Sequence, residues 1–136
     1  MDAILEIARE HKLSVLEDCS HAQGSRYKGR LCGTFGDIAV FSLQTNKMVF
    51  AGERGILVTN NEKLYQRAML LGHYRDRPKQ ELRGSGHGNY WVTGFGLKLR
   101  MSSFNAIVAR HSLSNYEKIK ADRHQCLNYL NLRLGA

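Results

Sequence analysis

Proline is nearly absent from this chain: Pro78 is the only one among 136 residues, against thirteen glycines. That balance argues against a helical bundle or a disordered tail and for a turn-rich α/β protein. Cysteine is also scarce. Cys19, Cys32 and Cys126 are odd in number and lack CxxC spacing, which argues against a zinc site and a disulfide framework and fits a reducing cytoplasm. No apolar run approaches membrane-spanning length, and the first residues are amphipathic rather than signal-like. Neither a membrane span nor a leader is expected. Acidic residues are the minority, 12 against 20 basic ones, for a formal charge of +8. Such an excess suits an anionic partner: a phosphate-bearing ligand, nucleic acid or an acidic surface. An ordinary basic surface is the plainer account. What is present, 43% apolar residues, suffices for one domain with a core.

The pattern along the chain predicts a helix over 2–12, with Asp2 as N-cap and Ile4, Leu5, Ile7 and Ala8 as its apolar stripe. Leu13 to Leu16 predict a buried strand that ends in the acids Glu17 and Asp18. Residues 24–36 are glycine-rich, and Tyr27-Lys28-Gly29-Arg30 marks a tight turn in a loop or small hairpin. Ile38 to Phe41 and Gly55 to Thr59 predict two more strands. Thr59-Asn60-Asn61-Glu62 has the form of a capping box opening a helix that ends near Gly72. Residues 75–99 predict a long irregular loop of functional or interface use. Ser102 caps a further helical stretch with a break near Ser114-Asn115. Three strands this apolar leave two open sheet edges, so the pattern predicts the middle of a larger α/β domain.

Within that frame one stretch is chemically distinctive. Lys47 stands five residues after Ser42, just past the strand 38–41, and the glycine-bracketed turn Gly52-Glu53-Arg54-Gly55 follows. A lysine at a strand end is a candidate Schiff-base amine, because burial lowers an amine's pKa and the strand end directs it. A lysine that snorkels to solvent is the commoner case. Asp18 and His21 stand at the end of the earlier strand, where open α/β sheets gather ligands. A helix cap or a salt bridge explains such an acid equally well.

The segments EDCSHAQGS, GTFGDIAVFS, the lysine after Ser42, GERGILVTNNEKL and GFGLKLRMSSFNA together resemble the DegT/DnrJ/StrS family of sugar aminotransferases. The resemblance runs from about residue 2 to the end of the chain. It implies pyridoxal 5'-phosphate (PLP) as cofactor and the aspartate-aminotransferase fold, PLP fold type I. The fold class expected is α/β: part of a large domain, with a three-stranded mixed sheet fragment and flanking helices. Residues 1–136 match the second half of the PLP-binding large domain, and residues from about 101 lead toward an absent small C-terminal domain. The chain is expected to be truncated at both ends.

By the same resemblance Lys47 is the catalytic Schiff-base lysine and proton shuttle. Asp18 pairs with the pyridine nitrogen, and Ser42 binds the cofactor phosphate. His21 stands near the phenolic oxygen, where the family often has glutamine. Lys98 occupies an asparagine position that reaches the phosphate of the neighbouring subunit's site. Arg100 anchors its loop. Arg54 replaces a glycine and Gln23 a histidine of the family pattern. A related dehydratase branch carries histidine at the lysine position, and Lys47 speaks against it. The activity implied is transfer of an amino group from glutamate or glutamine to a keto-sugar or cyclitol, by a cytoplasmic homodimer. Two other readings remain at this stage. One is an inactive fragment that associates through its open strand edges. The other is a basic nucleic-acid module built on Arg75, Arg77, Lys79, Arg83, Tyr90 and Trp91, although no recognised nucleic-acid motif is present.

Overall fold

In a computed structural model, residues 1–92 and 96–135 are described. The chain divides into two compact units, Met1–Phe41 with Ile56–Met101, and Ser42–Gly55 with Ser102–Ala136. The elements in order are α1 (Asp2–Glu10), β1 (Leu16–Asp18), β2 (Arg26–Tyr27), β3 (Arg30–Leu31), β4 (Ile38–Ser42), β5 (Gly55–Val58), α2 (Glu62–Gly72), α3 (Asp76–Glu81), α4 (Ser103–Ser114) and α5 (Tyr116–Leu134). A short 3-10 turn covers Gly88–Tyr90. The three-stranded sheet has the order β1-β4-β5. β1 and β4 are parallel, with Leu16 opposite Ile38, Glu17 opposite Ala39 and Asp18 opposite Val40.

In the first unit the cap of α1 lies one residue earlier than predicted. Met1 is the N-cap, and Asp2 lies inside the first turn, where a negative charge favours the helix dipole. Its carboxylate does not cap; it accepts from Lys28 Nζ at 2.5 Å and from the Tyr27 hydroxyl at 3.3 Å. The first strand is shorter and later than the apolar run 13–16 suggests. Leu13 and Leu16 are more than half exposed, and the buried side chain of β1 is Glu17. β2 and β3 form the expected hairpin around Lys28 and Gly29, both at positive φ (49° and 81°). Two central residues at positive φ are what a tight hairpin turn requires.

The cap of α2 is Asn61, whose side chain accepts from the N–H groups of Lys63 and Leu64. Thr59 is not the cap: its hydroxyl donates to the Asp37 carbonyl at 2.6 Å. Met69, Leu70 and Leu82 form the apolar core of this unit, with Tyr65 packed against it. Part of the predicted loop 75–99 is ordered as α3, because Pro78 falls in the first helical turn, where no backbone N–H is needed. Further on, Leu97 and Leu99 donate to the carbonyls of Leu71 and Gly72, the last residues of α2. Residues 93–95, which include Gly94 and Phe95 of the last motif, lie outside the described residues.

In the second unit Ser102 caps α4, its Oγ accepting the Asn105 N–H. The helix stops at Ser114–Asn115, as predicted. The Asn115 side chain donates to the His111 carbonyl at 2.8 Å and ends the run. α5 has no buried residue, and Gly135 closes it in the left-handed conformation. Among the described residues no helix is long and apolar enough to cross a membrane.

Candidate functional site

Period-2 alternation puts the two acids of β1 on opposite faces. Glu17 turns inward and is 9% exposed. Its carboxylate accepts three backbone N–H groups, from Phe35 at 2.6 Å and from Gly33 and Gly36 at 2.7 Å each. Burial pushes its pKa up, but the bonds from Gly36, Gly33 and Phe35, with the Arg30 charge, outweigh burial and hold it below its ordinary value. Glu17 is therefore a staple that shapes the loop before β4.

Asp18 turns to the exposed face at the carboxyl end of β1. One carboxylate oxygen accepts the Ser20 N–H at 2.9 Å. Cys19 continues the ladder by donating to the Val40 carbonyl, and Ala22 donates back to the Cys19 carbonyl. This turn leaves His21 exposed, three residues from Asp18. Burial, then the charges of Glu17, Cys32 and Asp18, push the Cys19 thiol up, which makes it an inert core sulfur.

β4 ends at Ser42, whose Oγ accepts the Gln44 N–H at 3.3 Å. From there the second unit forms a closed loop. Its neck is tied by Leu43 N–H to the Arg54 carbonyl and by Ala51 N–H to the Leu43 carbonyl, each at 2.7 Å. Leu43 and Ala51 are buried. Lys47, partly buried, lies in this loop, with its N–H on the Gln44 carbonyl at 2.9 Å. The glycine-bracketed turn explains its own departure from the family pattern. Gly52 takes φ +85°, which glycine adopts freely, whereas Arg54 is not among the residues at positive φ and needs no glycine.

Ser42 and Lys47 thus share one loop, and Asp18 and His21 share one turn. Lys98 stands on a third segment, between the two residues bonded to the end of α2. It is exposed and takes φ +53°. Asparagine tolerates that conformation better than lysine does. Beside it, the Arg100 and Arg75 guanidiniums lie over the Tyr74 ring at 5.5 and 5.7 Å. His73 is held below its ordinary pKa by burial, then by Arg77 and Arg100.

Residues that sequence reasoning did not single out do much of the positioning. They are Glu17 and, in the second unit, Asn105, Ser112 and Arg123. Asn105 and Ser112 are seven residues apart on a helix, hence on one face; polar residues at that spacing beside Phe104, Ile107 and Val108 were the available signal. A cleft of about 490 Å³ opens beside Gly36, Asp37, Ile38 and Asn61. It lies at the amino end of β4, away from Asp18, and Asp37 there is occupied by the Val15 N–H at 2.8 Å.

The model of the DegT/DnrJ/EryC1/StrS aminotransferase family matches residues 1–136. GDP-perosamine synthase of Escherichia coli O157:H7 is 40% identical over 111 residues, covering 79% of this chain and 28% of that protein. L-glutamine:scyllo-inosose aminotransferase of Streptomyces griseus is 35% identical over 137 residues, covering 99% of this chain and 32% of that protein. The crystal structure of an aminotransferase from Psychrobacter cryohalolentis superposes with a TM-score of 0.71 at 32% identity, over 84% of this chain and 30% of that one. The chain spans about a third or less of the length of these relatives.

Proposed function

The chain belongs to the DegT/DnrJ/EryC1/StrS aminotransferase family, and on that premise we propose that it is a PLP-dependent aminotransferase or a segment of one. It moves an amino group from glutamate or glutamine to a keto-sugar or cyclitol. The observation that carries this reading is the parallel register of β1 and β4. Asp18 ends β1 opposite Val40, β4 runs on to Ser42, and Lys47 follows five residues later. Parallel strands in α/β sheets gather ligands outside their carboxyl ends.

The donor set suits the cofactor: a carboxylate for a pyridine nitrogen, a hydroxyl for a phosphate oxygen and a primary amine for an aldehyde. When bound, PLP supplies an aldehyde that condenses with amines and a protonated ring that accepts the electron pair of the reacting carbon. Asp18 holds the proton on the ring nitrogen by its negative charge, with its carboxylate oriented by the Ser20 N–H. Ser42 donates to the phosphate from the rigid end of β4. His21 donates to the phenolic oxygen. Lys47 Nζ would hold the cofactor as its primary-amine partner and would serve as the base and acid that moves the proton at the substrate carbon. Lys98 binds the phosphate of the neighbouring subunit's site as a point charge, and its left-handed backbone supports a functional constraint there.

Residues 1–136 act as the second half of the PLP-binding large domain, with the helices from about 101 leading toward a small C-terminal domain. The assembly is a cytoplasmic homodimer. The test is the donor half of the reaction. Protein loaded with PLP is mixed with L-glutamate and, separately, with L-glutamine, and the 2-oxo acid formed, 2-oxoglutarate or 2-oxoglutaramate, is measured against protein. Formation of either in the unaltered protein and none in Lys47→Ala supports the reading; none from either donor in the unaltered protein, or as much in Lys47→Ala, contradicts it.

A further inference from the structure

Three polar side chains on α4 and α5 hold the backbone on both sides of Lys47. On its carboxyl side the Phe50 N–H donates to Ser112 Oγ at 3.0 Å, and Asn105 Nδ2 donates to the Ala51 carbonyl. On its amino side Arg123 Nη2 donates to the Asn46 carbonyl at 3.5 Å. Ser112 and Ala51 are each 1% exposed. Their bonds are shielded from water, where an unpaired N–H or carbonyl bears its full desolvation cost. The Asn105 amide is itself aimed: Ser102 Oγ donates to its Oδ1 and so directs Nδ2 at Ala51. Space is tight as well, since a Cβ on Gly52 would come within 3.1 Å of Asn105 Nδ2.

Only three residues, Lys47 to Val49, lie between Asn46 and Phe50. Fixing both points leaves the intervening backbone few conformations and therefore restricts where the Lys47 side chain begins. We propose that Asn105, Ser112 and Arg123 are positioning residues for Lys47: two helices clamp the loop so that its amine is presented in one orientation. This rests on the reading of Lys47 as the reactive amine. Such preorganisation is what a nucleophile needs to meet an aldehyde at reacting distance without ordering the loop at that moment.

The test uses the cofactor-free chain and the variants Ser112→Ala, Asn105→Ala, Arg123→Gln and the conservative Ser112→Thr. Hydrogen exchange reads the amides of Phe50 and Ala51. Trace acetylation across a pH series, read by mass spectrometry, gives the reactivity of Lys47 relative to the exposed Lys63. In Ser112→Ala exchange at Phe50, whose N–H loses its acceptor, rises about tenfold, the effect of one lost buried hydrogen bond. In Asn105→Ala the Ala51 carbonyl loses its donor, and exchange of the Ala51 N–H, held on the Leu43 carbonyl, rises as that segment loosens. The acetylation rate of Lys47 relative to Lys63 at fixed pH changes with it, and Ser112→Thr restores both. Arg123→Gln, on an exposed helix face, keeps the proposal testable if an alanine variant does not fold. It changes the relative rate of Lys47 in the same direction. Unchanged exchange overturns the clamp. Faster exchange with an unchanged relative rate of Lys47 reduces the three residues to a purely structural role and overturns the proposal. Neither readout needs PLP, so failure of the unaltered protein to form a 2-oxo acid from either donor would defeat the aminotransferase reading and leave the clamp standing.

Discussion

The carboxylate of Glu17 accepts the backbone N–H of Gly36 at 2.7 Å, across nineteen residues of chain. With Gly33 and Phe35 it completes a three-donor cradle that ties β1 to the turn entering β4.

Glu17→Gln keeps the shape but loses the charge and turns an amide donor toward one of those N–H groups. The variant is expected to be about 1–3 kcal/mol less stable at neutral pH, the range for hydrogen bonds to a charged group. Chemical denaturation with a circular-dichroism readout measures it.

The same residue sets an acid limit. The folded carboxyl lies below its ordinary value of 4.5, so between the two values the unfolded chain binds more protons, and stability rises with pH. The contribution is complete above about pH 4.5 and is lost as pH falls through the folded value. Thermal melts across that window should show a slope that flattens in Glu17→Gln. An equal slope in both proteins would contradict the assignment.

Gly36 faces the Val15 carbonyl so closely that an added Cβ would come within 2.6 Å of its oxygen. Backbone atoms yield poorly, and Gly36→Ala is expected to cost about 1–3 kcal/mol, the usual price of overpacking. Gly29, where nothing lies within 4 Å but φ is +81°, is the control for conformation alone. Denaturation midpoints of the two alanine variants separate crowding from backbone strain.

Lys98 takes φ +53°, a conformation that costs an ordinary side chain about 1–2 kcal/mol and glycine little. Lys98→Gly should recover up to about 1 kcal/mol, and Lys98→Asn part of it. A raised melting temperature in both checks this. A fall in either would show that the lysine side chain stabilises the segment by more than its backbone strain costs.

Local signals account for what was legible beforehand. Three apolar runs predicted the three strands of the sheet, and Ser102 announced the start of α4. The motifs around Asp18, Ser42 and Lys47 predicted strand-end and loop positions, which those residues occupy. Long-range partners were not legible. Thr59 has a good capping chemistry, yet the Asp37 carbonyl takes its hydroxyl and Asn61 becomes the cap. Asp2 is drawn to Lys28 in the same way. Nothing near Glu17 announces that its donors lie at 33–36, and nothing near Lys47 points to Ser112 or Asn105. The place of Pro78 in the first turn of α3 was not legible either, because it depends on where that helix begins.

The central claim is that the Lys47 amine joins PLP. The most direct measurement is to mix the protein with PLP, reduce with borohydride and locate the added mass by peptide mass spectrometry. The account predicts a long-wavelength absorption band before reduction, the mass on Lys47 afterwards, and loss of both in Lys47→Ala. A band that persists in Lys47→Ala, mass on another lysine, or no band in the unaltered protein would contradict it.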